Sequence, residues 1–166
     1  MVNLIKILLL AGALLLSACG EKAATLHNGE PAPAFALPDL QGNTLTFPDD
    51  LQGPVTVIRF WADWCPFCKT EMKALEPAYQ ALKAKGVRIL AINVRQDRAT
   101  AASFIDKLGI SYEVLLDEEG EVARRYGVLG LPSTFFVDGK GLLRTRIIGE
   151  STPEDFTSVV NELLPP

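Results

Sequence analysis

The chain has 166 residues, 48% of them hydrophobic and 22% charged, which fits one globular domain of ordinary composition. Its formal net charge of −4 excludes an electrostatic basis for binding nucleic acid. Three cysteines and one histidine leave little material for a metal centre built from protein ligands.

Lys6 is the only charged side chain among the first 18 residues, and residues 7–16 are apolar. A short apolar core closed by small residues reads as a secretory signal, too short and too abruptly ended for a typical membrane span. The run Leu16-Ser17-Ala18-Cys19 resembles the lipobox of bacterial lipoproteins. That resemblance implies a signal peptide over 1–18, cleavage before Cys19, and lipid on the Cys19 sulfur and the new amino group. The alternative is a plain signal peptide followed by a free thiol. Lipidation would leave Cys65 and Cys68 as a closed pair, and more than one acyl chain makes membrane anchoring stable. Gly20, not aspartate, follows Cys19, which by the same resemblance favours the outer membrane of a Gram-negative cell.

Residues 19–33 read as a polar, proline-containing tether, and residues 34–166 as the folded domain. Residues 34–37 and 43–47 predict a β-hairpin around a Gly-Asn turn. Residues 55–61 form a near-continuous apolar strand, suited to burial on both faces. A helix is expected from Pro66 to Lys85, with Met72, Leu75, Tyr79 and Leu82 facing the sheet, a kink at Pro77 and Gly86 as cap. A buried strand at 87–94, a helix at 100–108 and a strand at 112–116 follow. A short helix at 121–126 leads to a hairpin of strands 134–137 and 142–148. The last helix, 153–164, has Ser151 or Thr152 as N-cap and Pro153 in its first turn. The pattern predicts an α/β fold with a central mixed sheet flanked by helices on both faces.

The chemistry gathers in Trp61-Ala62-Asp63-Trp64-Cys65-Pro66-Phe67-Cys68. The two cysteines lie one helical turn apart, the first at the helix N-terminus. A thiolate is the nucleophile in disulfide exchange, and a free thiol titrates near pKa ~8.5. The unpaired N–H groups and the dipole at a helix N-terminus favour the anion. Cys65 is therefore expected to be the exposed, attacking sulfur and Cys68 the buried, resolving one, joined as a Cys65–Cys68 disulfide when oxidised. Pro66 suits the first turn, and Trp64 and Phe67 offer apolar contact to a partner. Two inert readings compete. Half a zinc site would need two more ligands, and the chain offers only His27 and Cys19, both in the tether. A purely stapling bridge across so short a loop removes little chain entropy.

Trp-Ala-Asp-Trp-Cys-Pro-Phe-Cys, followed much later by Gly130-Leu131-Pro132-Ser133-Thr134-Phe135, resembles the thioredoxin superfamily, and within it the membrane-tethered TlpA/ResA-like thiol-disulfide oxidoreductases. The resemblance covers residues 34–164. It implies a thioredoxin-like fold, with the segment at about 98–116 as the helix-strand insertion of that subgroup. It implies a cis Leu131-Pro132 bond beside the dithiol, whose exposed backbone pairs with a substrate strand. Implied partners are cysteine-containing proteins and a membrane electron donor of the CcdA/DsbD kind, with no cofactor. The implied activity is extracytoplasmic, more reductase than oxidant, for example on apocytochrome c before haem attachment. Thiols outside the cytoplasm meet an oxidising compartment, so a dithiol there is either kept oxidised or supplied with electrons.

Glu71 lies three residues after Cys68, where the subgroup often carries a glutamate able to shuttle protons. Arg59 is a departure, because the subgroup usually has asparagine there. Strand alternation places Arg59 with Val57 and Trp61. A buried guanidinium needs a partner, and Glu71 is the expected one, within about 6 Å. Otherwise Arg59 snorkels to the surface. Two further functions are weighed. A thiol peroxidase would share the insertion, yet the peroxiredoxin-type Pro-x-x-x-Thr-x-x-Cys run is missing. A Sco-type copper factor would need a wider Cys-x-x-x-Cys and a distal histidine, whereas His27 sits in the tether.

Overall fold

The computed structural model describes residues 26–50 and 53–165. The predicted signal peptide, Cys19 and the first part of the tether lie outside the described residues. The chain runs β1 (Phe35–Pro38), β2 (Thr44–Phe47), β3 (Val55–Trp61), α1 (Pro66–Lys83), β4 (Val87–Val94) and α2 (Arg98–Leu108). β5 (Glu113–Asp117), α3 (Glu121–Arg125), β6 (Ser133–Asp138), β7 (Leu143–Ile148) and α4 (Pro153–Leu163) follow.

Every residue of β3 is buried, because β3 is the middle strand of a five-stranded sheet of order β5-β4-β3-β6-β7. It pairs parallel with β4 and antiparallel with β6. β5 adds parallel to β4, and β7 antiparallel to β6. Alternation along β3 splits its side chains between two cores. Val55, Val57 and Trp61 join residues of α1, α2 and α4. Ile58 and Phe60 join the β1–β2 hairpin and the short α3. The predicted mixed sheet, hairpin and helix-strand insertion are all present. The second face is covered mainly by the hairpin, with only the five-residue α3 as its helix.

Met72, Leu75, Tyr79 and Leu82 line the buried stripe of α1, as their spacing predicts, and the helix continues through Pro77. Gly53 has φ +105, and a Cβ there would stand 2.0 Å from the Gly86 carbonyl oxygen. Glycine is therefore required where the chain turns into β3.

Two sequence expectations need correction. Residues 29–33 are not all tether. Pro31 bridges to Leu142, the Gly29 N–H donates to Leu143, and the Ala32 N–H donates to Gly141, with Ala32 buried. These residues extend the edge of β7, and such pairing leaves no periodic signature in so short a segment. The helix expected from Thr100 begins at Arg98, because the Asp97 carboxylate accepts the Thr100 N–H at 2.7 Å and caps the first turn.

Candidate active site

The chain leaves β3 at Trp61, whose ring stacks on Phe104 of α2 with centroids 5.0 Å apart. Ala62 to Trp64 then form a short loop held from the neighbouring strand. The Asp63 N–H donates to Gln96 Oε1 at 2.9 Å, Gln96 Nε2 donates back to the Asp63 carboxylate, and Asn93 Nδ2 also donates to Gln96 Oε1. Sequence reasoning missed Gln96 and Asn93. The available signal was Asn93 itself, a lone amide in the otherwise apolar end of β4.

Cys65 is the N-cap of α1, with extended backbone, and its Sγ accepts the Cys68 N–H at 3.2 Å. Cys65 and Cys68 form a disulfide, with Cα atoms 5.3 Å apart. The sulfur expected to attack thus sits where helix N–H groups and the dipole stabilise a thiolate. Its expected exposure is corrected, since Cys65 is only 2% exposed and Cys68 is fully buried. Bonded to Cys68, Cys65 turns into the apolar cluster that also holds Trp61 and Met72. The exposed groups are its neighbours, Trp64 at 67% and Phe67 at 51%, with Pro66 also exposed.

Leu131-Pro132 is cis, and so is Phe47-Pro48, which the sequence did not reveal. Leu131 packs against the core cluster containing both cysteines. Pro132 cannot itself offer the backbone expected to pair with a substrate. It has no N–H, and its carbonyl already accepts from the Gly149 N–H at 2.9 Å. The Leu131 backbone makes no hydrogen bond among the described residues, and Leu129, two residues before it, is 99% exposed.

Arg59 does not snorkel. It is fully buried, on the α1 side of the sheet, and its Nη2 lies 2.6 Å from Glu71 Oε2. That contact is ionic, and its N–H is not aligned as a hydrogen bond. Arg59 Nη1 donates to Thr134 Oγ1 at 2.7 Å, Thr134 being its register partner on β6. Glu71 Oε1 accepts from the Ser151 N–H at 3.0 Å and from the Ser151 hydroxyl. Thr134 and Ser151 escaped sequence reasoning because only the folded sheet brings them to this pair.

Among the described residues no three His, Cys, Asp or Glu side chains gather as a metal site, and no helix is long and apolar enough to cross a membrane. His27, whose carbonyl accepts the Glu30 N–H, precedes the segment whose Gly29 and Glu30 pair with Leu143 at the start of β7, whereas the cysteines follow the opposite end of the sheet.

The AhpC/TSA family matches residues 28–146. The chain is 30% identical to the thiol-disulfide oxidoreductase ResA of Bacillus cereus (strain ATCC 10987 / NRS 248), over 98% of this chain and 95% of the relative. It is 36% identical to the thiol:disulfide interchange protein DsbE of Pseudomonas fluorescens biotype C, over 73% of this chain and 66% of the relative. The crystal structure of a putative DsbE from Chlorobium tepidum superposes with a TM-score of 0.79 at 29% identity, covering 85% of this chain and all of the other.

Proposed function

The chain belongs to the AhpC/TSA family and is a thiol-disulfide oxidoreductase of the ResA and DsbE kind; from that premise we propose that it is an extracytoplasmic reductase acting on protein cysteines through Cys65 and Cys68. The observation that carries this reading is the Cys65–Cys68 disulfide at the N-terminus of α1, flanked by exposed Trp64 and Phe67. In the reduced protein the Cys65 thiolate attacks a partner disulfide. One partner sulfur leaves as thiolate, and a mixed disulfide forms. Cys68 then loses its proton and attacks Cys65 Sγ, the second partner sulfur leaves, and two electrons have passed to the partner. Trp64, Phe67 and Leu129 supply apolar contact, and the Leu131 backbone supplies a short edge for an extended partner strand.

The apolar leader and the lipobox-like run ending at Cys19 support a lipid anchor on the periplasmic side of a bacterial membrane. In that compartment the dithiol needs a donor, and a membrane protein of the CcdA/DsbD kind fits that need. Reduction of apocytochrome c is the proposed use. A Cys68→Ser variant tests the exchange itself. Incubated reduced with a disulfide-containing protein, it is expected to accumulate a mixed disulfide on Cys65, read by mass spectrometry. An adduct elsewhere, or peroxide consumption without any adduct, would favour the peroxidase reading.

A further inference from the structure

Arg59 and Glu71 form the one buried ion pair among the described residues, and the surrounding bonds make a closed circuit through the site. Glu71 is one turn beyond Cys68 on α1. Its Oε1 is held by the Ser151 N–H and hydroxyl, two residues after Gly149, whose N–H holds the Pro132 carbonyl. Pro132 leads into β6, where Thr134 accepts from Arg59, and Arg59 returns to Glu71 Oε2 at 2.6 Å. Glu71 Oε1 is thus hydrogen-bonded to Ser151, while Oε2 lies in ionic contact with the guanidinium without an aligned hydrogen bond. Tyr112, just before β5, feels the charges of Arg59, Glu76 and Glu71. Burial keeps its hydroxyl protonated, and it donates to the Met72 carbonyl.

We propose that Arg59 is a positioning residue of the dithiol: it ties Glu71 to the strand that follows Pro132 and so withholds that carboxylate from the Cys68 proton during exchange. The proposal rests on the dithiol chemistry above. In the resolving step the Cys68 S–H bond breaks, a Cys65–Cys68 bond forms, and the Cys65–partner bond breaks. The Cys68 proton then leaves with the departing partner sulfur and not on Glu71. The arginine ties α1 to β6 through its contacts with Glu71 and Thr134.

The test is the pH profile of resolution by the reduced full chain reacting with oxidised glutathione, followed by the fluorescence of Trp61 and Trp64 and by mass spectrometry of the mixed disulfide. Arg59→Gln frees Glu71 to act as base, and resolution at pH 7 is expected to speed up by roughly tenfold or more, with a new fall toward acid. Arg59→Lys keeps the charge and is expected to restore the wild-type profile. An Arg59→Gln protein that folds and retains the wild-type profile would overturn the proposal. If that variant does not fold, the double variant R59M/E71Q removes both charges. It is expected to keep the wild-type shape of the profile, whatever its absolute rate. A loss of roughly a hundredfold with a changed shape would show that Glu71 carries the proton, and would also overturn it. Wild type that forms no glutathione adduct at all would instead count against the functional reading.

Discussion

Burial pushes the Tyr112 and Tyr126 hydroxyls well above the ordinary tyrosine range, and each donates to a backbone carbonyl, that of Met72 and that of Pro33. Both effects favour the neutral phenol in the folded chain. Above pH ~10 the unfolded tyrosines lose protons that the folded ones keep, so unfolding is favoured as pH rises further. The slope approaches about 1.4 kcal/mol per pH unit for each such group. Urea midpoints are therefore expected to drop between pH 9 and pH 11. In Tyr126→Phe the midpoint should be lower at pH 9 and fall less steeply. An equal slope in both proteins would refute this account of Tyr126. At this scale sequence reasoning reached far where neighbours are set by local geometry. Strand alternation aimed Arg59 at the α1 face, and the three-residue step from Cys68 placed Glu71 on the same helix. It did not reach Ser151, Thr134 or the burial of Cys65, which depend on chain segments far apart in sequence meeting in the sheet.

Helix ends carry the clearest element-scale signal. Thr152 Oγ1 accepts the Asp155 N–H at 3.1 Å, and the Asp155 carboxylate accepts the Thr152 N–H at 3.2 Å, a reciprocal cap on α4. Thr152→Ala is expected to cost about 1 kcal/mol in urea unfolding. The reduction potential should stay unaltered, because the cap lies outside the hydrogen bonds that reach Glu71. A shift in potential would mean that α4 and the dithiol are more tightly coupled than the bonding shows. The sequence offered Ser151 and Thr152 as equal candidates for this cap. The structure divides the work, with Thr152 closing the helix and Ser151 bonded to Glu71. Asp97 shows the opposite case, a capping residue passed over because exposed Arg98 and Ala99 put no buried apolar residue in the first turn of α2. The pairing of residues 29–32 with the start of β7 was likewise illegible, since so short a segment rich in glycine and proline carries no strand periodicity.

At the scale of the molecule, the sheet separates a helical core, which holds the disulfide, from a second core built on the hairpin. Phe35, Phe47, Phe60, Tyr126 and Phe135 pack ring to ring in that second core. The redox site thus sits on the helical side of the sheet, at the end of β3, with Leu131 of the Leu131–Pro132 turn packed against its cluster. The fold was largely readable because strands and helices alternate with clear periodicity. The reducing direction was not, since a potential reflects the relative stability of two redox states of the whole domain and not any single motif. Equilibrating the full chain with glutathione buffers of known poise and counting the Cys65–Cys68 disulfide by mass tests it directly. The reductase account predicts a potential near about −270 mV, whereas a value near about −120 mV would mark a disulfide-forming oxidant and contradict it.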